Sequence, residues 1–256
     1  MRIPSIFAFA IGLVLVHVTM VPARAAESHP DFTGVYFALR PAVAPRVGLP
    51  PGGQERHPAV FAPLLDGSQG FPPTGPPLNP EYMTKWKAVQ ASRIAGSSET
   101  DSVAKCIPQG MPMMMNAAYG MEITQGKDRM FVYSELNDSL RRIYLDGRKP
   151  SAAVLEDTTY AGYSSAHWEG DTLVVFTNAL RADHELDPIG SPHSDALTIA
   201  ERFRFIRPGV LEDRMVVRDP KAFTKDWEVV YTYSRAASPD DQLREFACTE
   251  GLSLVK

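Results

Sequence analysis

The stretch Ser164-Ser165-Ala166-His167-Trp168-Glu169-Gly170-Asp171-Thr172-Leu173-Val174-Val175-Phe176-Thr177 reads as two strands joined by a tight turn. Gly170 supplies the positive φ that such a turn needs, and Asp171 can close it with a side-chain hydrogen bond. The run after the turn is β-branched and aromatic, which suits a pleated, half-buried surface better than a helix.

Segments of the same character recur on both sides. Residues 121–125 and 130–136 flank a Gly126-Lys127-Asp128 turn, and residues 140–145 end at Asp146-Gly147-Arg148. Beyond the hairpin come residues 197–206, a Pro208-Gly209 turn, then 211–219, 227–235 and 245–250. Asp31 to Phe37 reads as an earlier strand entered through Gly34. Short turns between short strands mark an antiparallel meander, and closure into an up-and-down barrel removes its two edges. The sequence therefore predicts a mainly β fold, an antiparallel up-and-down barrel of about eight strands with a Pro-rich N-terminal arm and one helix. A barrel of that size holds side chains or one small ligand, which puts the expected site in its interior or at its mouth.

The flanks carry other signals. Residues 1–25 combine Arg2, an apolar run and Ala23-Arg24-Ala25, the pattern of a cleaved secretory signal, so the mature chain is expected in the periplasm or outside the cell. Residues 26–105 hold the first strand, the arm and the helix, and form one domain with the barrel core of 106–256. From Pro41 to Pro80, eleven of forty positions are proline, too dense for any regular element. The arm reads as surface chain, as a lid over a pocket, or as a segment exchanged between subunits of a homo-oligomer. Asn79-Pro80-Glu81 then opens a helix, with Asn as N-cap and Pro at its first position.

With 30 acidic and 26 basic residues and no basic block, the net charge of −4 argues against a nucleic-acid partner. The chain has two cysteines, Cys106 and Cys248, and in an oxidising compartment these are most simply a disulfide. Met111 and Met113-Met114-Met115 lack His or Cys at ligand spacing and read as packing, not as a copper site. His184 and His193 share a Pro-containing loop with Asp183, Asp187 and Asp195, but no metal-binding spacing is present. No metal and no cofactor are expected.

Strand alternation nominates the chemistry. Glu201 falls in the middle of an apolar face with Leu197, Ile199, Phe203 and Phe205, and Glu135 falls on a face with Phe131 and Tyr133. Trp227, Val229, Tyr231 and Tyr233 share another. Carboxyls among aromatic rings are usable acids or bases when burial raises their pKa, unless cations such as Arg142 and Arg202 offset it. Each equally reads as a buried Arg–Glu pair that fixes register. His193-Ser194, at a strand entrance, could line the mouth and shuttle a proton.

Trp168-Glu169-Gly170-Asp171-Thr172-Leu173-Val174-Val175 resembles the W-E-G-D-T-L-V-V signature of a large family of exported bacterial proteins. Matching pieces follow in the family's order: Asp31 to Tyr36, Pro80-Glu81-Tyr82, Cys106-Ile107-Pro108-Gln109-Gly110-Met111-Pro112 and Arg142-Ile143-Tyr144-Leu145-Asp146-Gly147-Arg148. Gly190-Ser191-Pro192-His193-Ser194, Glu201-Arg202-Phe203 and Cys248 complete the set, which spans roughly residues 31 to 250. The family is similar to lipocalin-like barrels. It is also similar to sphingomonad phenylcoumaran γ-formaldehyde lyases, which release the γ-carbon of lignin-derived aromatic dimers as formaldehyde. That resemblance implies a cofactor-free acid–base lyase acting on a small aromatic molecule. Glu201 or Glu135 would be its base, Tyr163 or His193 its acid, and Arg142 and Arg202 would hold a phenolate. Tyr133, His167, Trp168 and Ser194 complete the expected substrate contacts. Where relatives read G-H-S-x-G-R-W, this chain has Gly162-Tyr163-Ser164-Ser165-Ala166-His167-Trp168, with Tyr163 in the His place and His167 in the Arg place. The rival reading is a barrel that carries a hydrophobic or phenolic ligand without changing it.

Overall fold

The computed structural model describes residues 29–39, 75–97, 105–116, 119–246 and 248. The expected signal segment, the arm over 40–74 and residues 247, 249 and 250 of the expected 245–250 strand lie outside them; residues 245, 246 and 248 of that segment are not strand. Nine strands close into one barrel. They are β1 (Gly34–Ala38), β2 (Met121–Gln125), β3 (Arg129–Ser134), β4 (Ser139–Tyr144), β5 (Tyr163–Glu169), β6 (Thr172–Asn178), β7 (Thr198–Arg207), β8 (Val210–Arg218) and β9 (Trp227–Arg235).

The opening hairpin is β5–β6, with Gly170 at φ 58° in its two-residue turn. The strand count corrects the expected eight. β1 pairs with β2 through Gly34↔Ile123 and with β9 through Tyr36↔Arg235, so it is the stave that closes the ring. The meander is also interrupted once. β4 and β5 run parallel and pair only at Ile143↔Ser164 and Tyr144↔Ser165. A parallel step needs a crossover, and the chain supplies one through 145–162 with the short helix α2 (Ala152–Glu156). The two-pair ladder makes this junction the weakest seam of the wall.

Inward positions alternate as the pleat requires. In β7, Ile199, Glu201 and Phe203 are buried between exposed neighbours, and in β8 Leu211, Asp213, Met215 and Val217 are buried. Both ends are stoppered. At one, Phe32 packs against Trp168, Phe203 and Phe205, with ring centroids 5.2–6.5 Å apart. At the other, Met111 and Met113–Met115 are buried, and Met115 O accepts from the Tyr233 hydroxyl at 2.5 Å. The methionines are core side chains.

Helix α1 (Pro80–Ile94) begins as its sequence demands, with Asn79 Oδ1 accepting from Tyr82 N at 3.1 Å. It lies against the 185–190 loop, where Trp86 Nε1 and Gln90 Nε2 donate to Ile189 O at 3.2 and 2.6 Å. Among the described residues no helix is long and apolar enough to cross a membrane.

Cys106 and Cys248 form a disulfide across 142 positions. Such a bond is compatible with an exported protein. Restricting so long a loop in the unfolded chain stabilises the fold by about 4–5 kcal/mol on the loop-entropy model. Urea unfolding of a Cys106→Ala, Cys248→Ala variant should show a loss of that size, and reductant should have no further effect on it.

Candidate functional site

The barrel interior is built around a buried arginine. Alternation along β4 turns Ser139, Arg141 and Ile143 inward and leaves Leu140 and Arg142 outside. Arg141 is fully buried, donates from Nη1 to Glu201 Oε1 at 2.8 Å, and pairs through Nη2 with Glu201 Oε2. Its Nε donates to Ser164 Oγ at 3.1 Å and its Nη2 to Thr177 Oγ1 at 2.9 Å. One side chain thus ties β4 to β5, β6 and β7. The register-fixing reading of Glu201 has its partner, and that partner is Arg141.

This changes the expected cations. Arg142 and Arg202 both point outward, and Arg202 pairs with Glu169 at 2.8 Å. The physical reason is the period of two, because Ile143 faces the core and so must Arg141, two positions before it. The presumed face of β3 is corrected in the same way. Met130, Val132 and Ser134 point inward, leaving Phe131 and Tyr133 on the outside. Glu135 follows the strand into a 3₁₀ turn, where its Oε2 accepts from Arg244 N at 3.0 Å. Tyr133 donates to Asp138 Oδ1 at 2.5 Å, and that bond with partial burial pushes its hydroxyl up to about 12.

A residue missed by the alternation argument completes the interior. Asp213 on β8 is fully buried, and neither carboxyl oxygen has a hydrogen-bond partner among the described residues. Its cross-strand neighbours are Phe203 and Tyr231. Burial, and then the Glu201 charge, raise its pKa well above the ordinary carboxylate value, with Arg141 opposing. The available signal was Leu211-Glu212-Asp213-Arg214-Met215, in which Asp213 stands at the inward period between two apolar residues.

The remaining expected residues are scattered. His193 is buried with His184, Nε2 to Nδ1 at 3.3 Å, and its Nδ1 faces Ser194 O at 2.8 Å. Burial and then the neighbouring imidazole lower its pKa to about 4. The loop's carboxylates diverge from this pair: Asp183 binds Arg181, Asp187 accepts from Ile189 N and Ser191 N, and Asp195 binds Lys221. Gly110 is required here, because a Cβ would collide with the His184 ring. Ser194 is held by Asp219, its N and Oγ each donating at 2.6 Å. His167 is exposed beside Glu169, and Trp168 stacks on His29 with centroids 4.5 Å apart.

Tyr163 is where a cavity is. A recess of about 510 Å³ lies over the β4–β5 seam, lined by Pro108, Gln109, Leu140, Arg142, Tyr144, Val154, Asp157, Tyr160 and Tyr163 among others. Tyr144 and Tyr163 have ring centroids 5.1 Å apart, and the Tyr163 hydroxyl donates to Arg148 O at 3.3 Å. Desolvation, with Tyr144 nearby, raises the Tyr163 pKa, which keeps the phenol protonated. Arg142 makes no ion pair among the described residues and lies 5.5 Å from the Phe131 ring centroid. The volume falls within the usual range of small-molecule sites. Of the expected site residues this recess gathers Arg142 and Tyr163; Glu135, Glu201 and His193 do not line it.

No protein-family model and no curated protein matches the chain. Among solved structures, a mutant of the fluorescent protein UnaG is similar at 17% identity and a TM-score of 0.29. The match covers 46% of this chain and 72% of that one. A likeness at this level carries no argument about fold or function.

The interior makes two predictions. Arg141→Met leaves Glu201 buried without its cation and should cost about 3–5 kcal/mol in denaturant unfolding. Because the folded Asp213 pKa is raised, its stabilising contribution is complete below the unfolded value near 3.8 and is lost as pH rises through the folded value. Asp213→Asn, which cannot ionise, should flatten that part of the stability–pH curve measured by urea unfolding.

Proposed function

We propose that this is an exported, lipocalin-like barrel that binds a small phenolic or aromatic acid molecule in the recess over the β4–β5 seam. The carrying observation is the lining itself: three tyrosines around a guanidinium that has no carboxylate partner among the described residues. Tyrosine faces suit an aromatic ring, and a free guanidinium suits a phenolate or carboxylate. Segments that carry the family resemblance supply much of the wall, namely Pro108 and Gln109, Arg142 and Tyr144, and Gly162 and Tyr163. Tyr163 stands where relatives read His, so the chain's ligand preference is expected to differ from theirs at this position.

A second reading, an acid–base lyase on the same ligand class, is favoured by Tyr163. Its raised pKa keeps the phenol protonated, so it can donate a hydrogen bond to negative charge developing on the leaving oxygen. The base would then be a carboxylate of the recess, of which Asp157 is the more open, because Asp138 is engaged by Tyr133.

Calorimetric titration of the mature protein with lignin-type phenolic dimers and aromatic acids tests the binding reading. Saturable binding is expected, weakened about 10-fold or more by Arg142→Ala through loss of a charge-assisted contact. An unchanged affinity in that variant would remove the recess from consideration. Release of formaldehyde from a dimer, lost in Tyr163→Phe at unchanged KM, would establish the lyase; recovery of intact ligand would exclude it.

A further inference from the structure

The lining of the seam recess runs from a buried neutral residue to an exposed charged one. Gln109 is 5% exposed, whereas Arg142 stands exposed on the outer face of β4. The side-chain amide of Gln109 makes no hydrogen bond among the described residues. Its backbone, by contrast, is held firmly. Gln109 N donates to Ser139 Oγ at 2.7 Å, and the His184 ring packs against Gly110. Met111 N donates to Tyr160 O at 3.0 Å, and Met111 O accepts from His184 Nε2 at 3.1 Å. The amide is therefore carried on a fixed support. Any ligand that fills the recess strips water from it, so a ligand that leaves it unpaired loses affinity.

We propose, resting on the recess as the ligand site, that Gln109 is its specificity-determining residue and selects aromatic carboxylic acids that also carry a neutral ring hydroxyl. An amide both donates and accepts, and so does a hydroxyl, which makes the two complementary. A phenol of ordinary pKa, about 10, keeps its proton at neutral pH, so that end of the ligand can be buried without burying charge. The carboxylate is costly to bury and stays at the exposed Arg142, where the pairing is charge-assisted. Tyr144 and Tyr163, with centroids 5.1 Å apart, supply ring surface for the aromatic body. A simple phenol leaves Arg142 without its anion, and a plain aromatic acid leaves Gln109 unpaired. A site that bonds a hydroxyl discriminates against the analogue lacking it more strongly than an apolar pocket can discriminate by size.

Calorimetric titration with 4-hydroxycinnamate, cinnamate and 4-ethylphenol provides the test. The hydroxy acid should bind about tenfold or more tightly than either of the others. Gln109→Met, which keeps the length of the side chain but cannot form the bond, should erase the preference for the hydroxyl and leave cinnamate affinity unchanged. Arg142→Ala should weaken both acids equally and keep that preference. Equal affinity for the two acids in the wild type overturns the role of Gln109, as does a hydroxyl preference that survives in Gln109→Met. If both acids still bind and both weaken in Arg142→Ala, the recess stands as the ligand site and only its specificity is refuted. Absence of binding by all three removes the recess itself. Where Gln109→Met fails to fold, the wild-type ¹⁵N resonance of the Gln109 side-chain amide decides: it should move with 4-hydroxycinnamate and not with cinnamate, and an identical response to both overturns the proposal.

Discussion

The barrel depends on the pairing of Arg141 with Glu201. Burying either ion alone would be prohibitive, and together they are tolerated because the guanidinium is bonded by a bidentate carboxylate and two hydroxyls. The consequence is mechanical as well as electrostatic. β4 and β5 share two residue pairs, fewer than any other junction of the ring, and Arg141 reaches across that junction to Ser164, Thr177 and Glu201. A side-chain bridge thus supplements the backbone ladder where the ladder is short.

The seam and the recess have one origin. A parallel step forces a crossover, and the crossover through 145–162 lays Tyr160 beside the outer face of β4, next to Tyr163 at the start of β5. The wall is therefore least regular where a cavity of ligand size has formed. Phe32 and the Met111–Met115 segment stopper the two ends, and an opening at an end would require one of them to move.

Much of this was legible in the chain. The Gly170 turn, the β-branched runs and the Asn79 cap each follow from local chemistry, and each element forms close to where that chemistry puts it. The inward placement of Glu201 follows from its apolar neighbours two positions away on either side. Arg142 and Arg202 were less legible, since one-residue shifts interchange faces and Arg141-Arg142 offers two identical side chains for one inward place. Glu135 was misplaced because alternation ends where β3 does, one residue earlier.

By itself the sequence determined the class of fold and its turns, because strand period, glycine φ and helix capping act over a few residues. It also determined the pairing of its two cysteines, since no alternative partner exists. Only the tertiary structure decided that β4 and β5 meet in parallel, that Arg141 is the cation inside, and that Asp213 has no hydrogen-bond partner among the described residues. It also decided that Arg142 and Tyr163 share a recess outside the barrel. These are relations between strands far apart in the chain, and register across a closed ring is set by all nine staves together.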